Sequence, residues 1–267
     1  MVALGLLLLL QDPPATVSGT VRLGHRAPPP RTIKLDREPL AHALYPGGIL
    51  LDELLVDADN RLAAALVYVK QAAPVPSAPG SPVKRAFQGF RLLPRVVTLR
   101  TGQELILTNT DNCLHNYHVL AYLNKETNVG LASPGAVDRR KYPTPEVAMK
   151  AKCDVHPWEV SWIHVFDHPF YSLTGTDGRF TIAGLPPGLY TLAVWHERCK
   201  PRELEIEVKA GESKTLDLYL ETEEGPPPFP WLKVGVGGGA VLVLSLAGFL
   251  LMGRRKTPSS GRPVLSS

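Results

Sequence analysis

The chain has 267 residues, of which 44% are apolar and 20% are charged, so wholesale disorder is excluded and a packed core is expected. The formal net charge is +4, but residues 1–232 carry 24 basic and 25 acidic side chains. The excess of positive charge therefore lies near the C-terminus. Because the body lacks the clustered basic footprint of a nucleic-acid-binding protein, we expect no nucleic-acid partner.

The N-terminus begins with an apolar run that is typical of an export signal. Leucine occupies every position from 6 to 10, and a short apolar stretch of this kind forms the core of a secretory signal peptide. We interpret residues 1–15 as a signal-like segment. No basic residue precedes the leucines and no clear small-residue cleavage motif follows them, so the start and the processing site stay open.

The body of the chain has the pattern of an all-β protein. Its apolar residues lie in short β-branched and aromatic stretches bounded by Gly or Pro, and few stretches show a helical period. Residues 72–83 and 134–150 are interpreted as loops, the second with a helical turn at 145–151. The predicted strands are 16–23, 64–70, 95–100, 104–109, 162–166, 179–182, 190–195, 203–208 and 214–219.

The C-terminal region has the pattern of a single membrane span. Residues 234–253 contain no charge, and a helix of that length spans about 30 Å, the thickness of a bilayer core. Basic residues follow at 254–256, and clustered Lys and Arg mark the cytoplasmic side. We predict a transmembrane helix at 233–253, after a Pro-rich stalk at 223–232 and before a cytoplasmic tail at 254–267. The body would then lie outside the cytoplasm, in the periplasm or at the cell surface.

A turn-and-strand pattern late in the body resembles a known family. The motif T-D-G-R-F at 176–180 is followed by G-L-P-P-G at 184–188, as in the carboxypeptidase regulatory-like (transthyretin-like) β-sandwich. The resemblance implies that residues 16–73 supply the opening strands of such a sandwich and residues 166–222 the closing ones. Because this superfamily has no single activity, the resemblance predicts a fold and no function.

Residues 84–165, between these halves, contain N-T-D at 109–111, H-N-Y-H at 115–118 and C-D-V-H at 153–156, and with these motifs they resemble a cupredoxin. The motif N-T-D at 109–111 and H-N-Y-H at 115–118 are similar to the segment that presents the first copper-binding histidine. The motif C-D-V-H at 153–156 is similar to the loop that supplies a thiolate and a second imidazole. Together the two parts resemble secreted cupredoxin-like proteins of the methylamine-utilisation type.

This second resemblance implies a copper site on His115, Cys153 and His156. A blue-copper site needs two imidazoles and a thiolate in a trigonal plane, with a weak axial donor. The family usually has an axial Met, whereas Glu159 stands here, and a carboxylate would lower the reduction potential if it ligates. Imidazole and thiolate also suit zinc, and the site could be a relict that holds no metal.

Two neighbours of the first histidine are expected to support the ligands without binding the metal. Asn116 and His118 fill this role, because the odd spacing of His115 and His118 points them to opposite faces of a strand. A second, nitrogen-rich site would need four histidines that singly are typical of polar residues at strand ends: His118, His164, His168 and His196.

The cysteines and one basic residue leave alternatives open. Relatives often carry a histidine after the proline near this strand, whereas Arg95 follows Pro94 here. Outside the cytoplasm Cys113 and Cys199 could form a disulfide that leaves Cys153 free for metal. A bond between Cys113 and Cys153 would instead destroy the site.

The sequence therefore supports two hypotheses. The first is a membrane-tethered, extracytoplasmic copper-binding or electron-transfer protein with a redox protein as partner, and the complete His/Cys-x-x-His set favours it. The second is a metal-free β-sandwich that binds a carbohydrate or a protein, and the departures at Glu159 and Arg95 favour it. No nucleophile elbow, phosphate loop or H-E-x-x-H motif occurs, so we expect no enzyme activity.

Overall fold

The computed structural model describes residues 12–76 and 80–225. The core of the signal-like segment, most of the stalk, the predicted membrane span and the predicted tail lie outside these ranges. Within them, no helix is long and apolar enough to cross a membrane.

The regular structure of the described residues is almost all strand, with one short helix, so the prediction of an all-β body is confirmed. The elements are β1 (Ala15–Leu23), β2 (Thr32–Ile33), α1 (Pro39–Leu44), β3 (Ile49–Leu50), β4 (Leu66–Val69), β5 (Val83–Phe87), β6 (Leu92–Leu93), β7 (Val96–Arg100), β8 (Glu104–Asn109), β9 (His115–Leu120), β10 (Thr127–Leu131), β11 (Val137–Lys141), β12 (Glu146–Lys152), β13 (Val160–Phe166), β14 (Tyr171–Leu173), β15 (Arg179–Leu185), β16 (Gly188–Trp195), β17 (Arg202–Val208) and β18 (Ser213–Leu220).

The first sandwich joins both ends of the described chain. One sheet has the order β15-β1-β18 and the other the order β14-β4-β16-β17. Strand β1 pairs antiparallel with β15 and parallel with β18. A single apolar core, which includes Val17, Val67, Leu192 and Leu218, lies between the two sheets. Strands that are far apart in the sequence therefore share one core.

The second sandwich is formed by the intervening residues. Its sheets have the orders β10-β9-β12-β13-β7 and β11-β8-β5-β6. Its core includes Leu99, Leu107, Tyr117, Ile163 and Cys153. The strands β9, β12 and β13 are neighbours in one sheet, so the ends of these strands can place side chains at a common site.

The interpretation of residues 134–150 as a loop is wrong, because β11 and most of β12 lie there. Strand β11 is an edge strand of charged and exposed residues, so it carries no apolar alternation. Strand β12 is interrupted by a bulge at Ala148, whose φ is 61°, and its register against β13 shifts between Glu146 and Met149. A bulge adds one residue and breaks the period of two, which is why the strand pattern was hidden.

Candidate metal centre

Four buried side chains converge at one end of the second sandwich. His115 begins β9, while Cys153, His156 and Glu159 lie in the turn between β12 and β13. Each residue is at most 2% exposed, and one ligand atom from each lies within 4.8 Å of the others. The structure thus brings together the four residues that the sequence pattern singled out. In the described ranges no second such group of three or more His, Cys, Asp and Glu residues occurs, so the four histidines proposed for a nitrogen-rich site do not assemble.

The turn that carries three of these residues is closed by its own backbone. The amide of Cys153 donates to the carbonyl of Glu159 at 3.0 Å, and the amide of Glu159 donates to the carbonyl of His156 at 2.9 Å. The amide of His156 also lies 3.4 Å from the Cys153 sulfur. A tight turn of this kind holds the thiol, the imidazole and the carboxylate on one side.

The distances between the ligand atoms suit a single metal ion. Nδ1 of His115 lies 2.9 Å from Oε2 of Glu159 and 3.1 Å from Nδ1 of His156. Nδ1 of His156 lies 3.6 Å from the same carboxylate oxygen and 3.8 Å from Sγ of Cys153. Ligands at ordinary metal bond lengths around one ion are separated by about 3.3–3.8 Å. The two contacts of His156 with Oε2 and Sγ lie in this range, and the two shorter contacts of His115 would widen by a few tenths of an ångström around an ion. The carboxylate therefore stands among the ligand atoms.

The outer nitrogens of both imidazoles face carboxylates. Nε2 of His115 lies 3.2 Å from Oδ2 of Asp111, and Nε2 of His156 lies 3.5 Å from Oε2 of Glu38. A carboxylate at this position keeps the proton on Nε2 and leaves the lone pair of Nδ1 directed at the centre. Neither Asp111 nor Glu38 was predicted from the sequence as part of the site. Asp111 ends the N-T-D motif and could have been noticed, whereas no pattern links Glu38 to a histidine more than 100 residues away.

The charges of the four groups balance within the centre. Burial lowers the pKa values of the two imidazoles, but hydrogen bonds to Cys153 and Glu159 outweigh it and raise the pKa of His115 to about 9 and that of His156 to about 10. Burial raises the pKa values of Cys153 and Glu159, and hydrogen bonds from the imidazoles reverse this, so both end below their ordinary values. These shifts favour two imidazolium protons that face a deprotonated Cys153 and a deprotonated Glu159. A divalent cation would replace these protons without changing the net charge.

One polar atom in the centre lacks a partner. Oε1 of Glu159 is buried and accepts no hydrogen bond, although a buried carboxylate oxygen is costly to leave unsatisfied. The donor set is two imidazoles, one thiolate and one carboxylate, which suits copper and also zinc. The residues therefore fit a bound metal ion, and the orphaned oxygen would gain a cationic partner.

The two supporting residues differ in their contacts. Oδ1 of Asn116 lies 3.4 Å from Sγ of Cys153 and accepts from the amide of Asp154 at 2.6 Å, so it ties β9 to the Cys153 turn. Among the described residues, His118 forms no hydrogen bond with the four-residue cluster. It lies between Oδ2 of Asp154 and Oε1 of Glu126, at 2.9 Å from each, and steadies the turn only through Asp154.

Arg95 and the other cysteines lie outside the ligand set. Arg95 binds the carboxylates of Glu197, in the first sandwich, and Asp52, at 2.8 and 3.2 Å. All three cysteines are free, so neither disulfide alternative forms. Cys113 lies 3.2 Å from Nε2 of His115, and burial, with the nearby charge of Asp111, raises its pKa to about 12. It therefore stays a thiol at neutral pH.

A segment from the first sandwich covers the centre. We call residues 31–52, which contain β2, α1 and β3, the cover. Its buried residues Leu35, Ala41 and Ile49 form an apolar cluster with Phe90, against which Trp158 packs. Phe90 in turn makes an edge contact with His156 at 5.2 Å between ring centroids. These contacts leave His156 only 1% exposed.

Fold and site together define an all-β protein of two sandwiches with a buried two-histidine, cysteine and glutamate centre. Residues 164–221 match the carboxypeptidase regulatory-like domain family, which confirms that part of the sequence prediction. A curated relative, probable rhamnogalacturonate lyase A from Aspergillus flavus, is 32% identical over 78 residues. The match covers 29% of this chain and 14% of the relative, so the chain spans only a small part of that protein.

Solved structures that are similar to parts of this chain include two whose names include copper. The copper-containing nitrite reductase of Thermus scotoductus is 19% identical with a TM-score of 0.31, over 36% of this chain and 25% of that one. A purple cupredoxin from Nitrosopumilus maritimus is 20% identical with a TM-score of 0.27, over 32% and 99%. A mutant of amicyanin in the Cu(I) state is 13% identical with a TM-score of 0.29, over 38% and 98%. TM-scores this low support no argument about function, so the chemistry of the site is inferred only from the side chains of this chain.

Proposed function

We propose that this protein is a membrane-tethered, extracytoplasmic copper-binding protein of cupredoxin type that transfers electrons. The observation that carries the proposal is the convergence of two Nδ1 atoms, a thiolate and a carboxylate at one buried point. The carboxylates of Asp111 and Glu38 support it, because they orient both imidazoles for metal binding.

A bound copper ion would supply one-electron redox chemistry. The residues around it would keep the ligands in place between the two oxidation states. Phe87 stacks on the His115 ring with centroids 4.4 Å apart, and Phe90 packs on both imidazoles. Glu159 offers a hard oxygen donor, which favours Cu(II) over Cu(I) and lowers the reduction potential relative to a thioether.

The location and the partner are parts of the same proposal. The signal-like leucine run and the charge-free run before the basic cluster support a single-pass protein with its body outside the cytoplasm. A redox protein at the same membrane would then be the electron partner, since the tether limits the centre to that surface.

Copper loading of the full chain, purified in a mild detergent with its thiols reduced beforehand, tests the proposal. We expect retention of stoichiometric Cu(II), a strong visible thiolate-to-copper band, and reversible loss of that band with ascorbate. Parallel loading with Zn(II) separates the alternatives. Retention of zinc without copper would make the centre a zinc site, and retention of neither by a folded protein would leave the second sandwich as a metal-free scaffold.

A separate cleft favours a second candidate function, the binding of a carbohydrate. The cleft has a volume of about 500 Å³ and is lined by Tyr68, Tyr122 and Asp167, among others. Tyr122 is 96% exposed, yet its amide donates to the buried Glu146 carboxylate at 2.6 Å, so an open aromatic ring sits on a fixed backbone. Such a ring can stack on a sugar face, and the Asp167 carboxylate in the cleft can bind hydroxyl groups.

Affinity electrophoresis in gels that contain soluble plant or bacterial polysaccharides tests this second function. We expect one of the polysaccharides to retard the full chain and the Tyr122→Ala variant to lose that retardation. Tyr219→Ala is the matched control, because Tyr219 is also exposed but lies on β18, outside the cleft. Equal mobility of the three proteins in every gel would refute carbohydrate binding at this cleft.

A further inference from the structure

The cover closes the metal centre although it belongs in sequence to the first sandwich. It lies in the connection between β1 and β4, and its base is closed by the Leu51 amide, which donates to the Arg31 carbonyl at 2.9 Å. The metal ligands all come from the second sandwich. The enclosure of the centre is therefore shared between two parts of the chain.

The cover is attached to the turn at residues 88–91 of the second sandwich. The Tyr45 hydroxyl donates to the Gly89 carbonyl at 2.9 Å, and the Arg91 guanidinium donates to the Leu50 carbonyl at 2.6 Å. The same turn is bound by Asp111, which accepts from the amides of Gly89 and Phe90. Asp111 also faces His115, so this turn links the cover with one metal ligand.

Glu38 links the cover with the other imidazole. Its Oε2 lies 3.5 Å from Nε2 of His156. In the described part of the chain this is its only charged partner within 4.0 Å. Glu38 stands at the N-cap position of α1 but makes no side-chain capping hydrogen bond. The carboxylate therefore does not cap the helix. Its contact with the His156 imidazole is the one ion-pair contact that it makes among the described residues.

We propose that Glu38 is a positioning residue that couples closure of the cover to metal retention. The inference rests on the proposed function, since it requires metal on His156. An imidazole whose Nδ1 binds a cation carries more positive charge at Nε2–H, and a carboxylate that faces this nitrogen stabilises that charge and strengthens the metal–ligand bond in return. A loaded centre thus holds the cover closed, and the metal leaves only when the cover opens.

The rate of metal release tests this coupling. The full chain in mild detergent is loaded with Cu(II), mixed with excess EDTA, and followed by the decay of the visible band and by counting retained copper. We expect Glu38→Ala to release copper about tenfold faster than the wild type or more. Glu38→Gln, which keeps an acceptor oxygen without the charge, should be intermediate. Asp36→Asn is the matched control, because it removes an exposed charge in the same segment and should release copper at the wild-type rate.

Hydrogen exchange of the cover provides a readout independent of the colour. The amides of His42 and Tyr45 are hydrogen-bonded within the cover, and we expect both to exchange more slowly in the loaded than in the metal-free wild type. The difference should vanish in Glu38→Ala. Equal release rates and equal exchange in a copper-binding protein would overturn the coupling alone. Failure of the wild type to retain copper would overturn the proposed function and the coupling with it.

Discussion

The Nδ1 atoms of His115 and His156 lie 3.1 Å apart, although 41 positions separate the two residues in the chain. Both outer nitrogens face carboxylates, so both inner nitrogens are directed at the same point. Two imidazole nitrogens this close, beside a thiolate and a carboxylate, need protons or a cation between them. The geometry therefore leads to predictions about which side chains hold a metal and which only hold the fold.

Cys153 is expected to be the thiol responsible for the visible copper band. Cys153→Ser should abolish the band and most copper retention, because a hydroxyl is a poor replacement for a thiolate. Cys113→Ser should keep both, since the Cys113 sulfur approaches the outer nitrogen of His115 and not the inner nitrogen that faces the centre. Absorption spectra and copper counts of the two variants check this. A band that survives in the Cys153 variant and disappears in the Cys113 variant would reverse the assignment.

Glu159 is expected to set the reduction potential. Glu159→Met replaces the carboxylate by a thioether, which favours Cu(I) and should raise the potential. Each tenfold change in the relative affinity for the two oxidation states corresponds to about 59 mV, and we expect a rise of at least this size. Redox titration of the visible band measures it. An unchanged potential with normal copper loading would mean that the carboxylate does not ligate.

Arg95 is expected to serve the fold and not the metal. Arg95→Met would leave the buried Glu197 carboxylate without its cationic partner and should lower the free energy of unfolding by about 3 kcal/mol. The position of the copper band should stay unchanged, because Arg95 contacts none of the four ligand residues. Urea unfolding and visible spectra check the two effects. A shifted band in Arg95→His, with normal stability, would show that this position can reach the metal.

His164 is expected to make the protein sensitive to acid. Its Nδ1 accepts from the Ala148 amide at 3.0 Å at the bulge of β12, and complete burial, aided by the charge of Arg85, lowers its pKa to about 3. At pH values between about 3 and the ordinary histidine pKa of 6.5, His164 is protonated in the unfolded chain but stays neutral in the folded protein. The free energy of unfolding should therefore decrease as the pH is lowered, by on the order of 3 kcal/mol from pH 6.5 to pH 4.

The variant His164→Phe isolates this contribution in urea unfolding at a series of pH values. Above pH 7 we expect a loss of about 1–3 kcal/mol, because the buried Ala148 amide loses its acceptor. Below pH 6.5 the decline of stability should be shallower than in the wild type. Parallel curves for the two proteins would contradict a buried neutral histidine.

The positions of many strands could be predicted from the sequence, because most of the strands bury one face and so alternate apolar and polar residues. Strand β17 alternates charged and apolar residues, and the structure places Ile206 and Val208 in the core with the glutamates outside. The exceptions have physical reasons. Strand β11 buries too little to show a pattern, and the bulge at Ala148 shifts the face of β12 in mid-strand.

Part of the four-residue centre could also be predicted from a local sequence pattern. Cys153, His156 and Glu159 lie in one short turn, so local spacing places them together, and His115 was identified only through a resemblance. The roles of Glu38 and the cover could not be predicted, because their contacts join residues about 40 to 120 positions apart through tertiary packing alone.

The sequence by itself thus determined the all-β class, most of the strands and the types of side chain available for metal binding. These depend on local periodicity and on short spacings. The tertiary structure alone decided that two imidazoles meet nitrogen to nitrogen, that Arg95 binds Glu197, and that the cover encloses the centre. Such contacts form only when distant strands pack into common cores, because side-chain convergence depends on register and topology that no short pattern encodes.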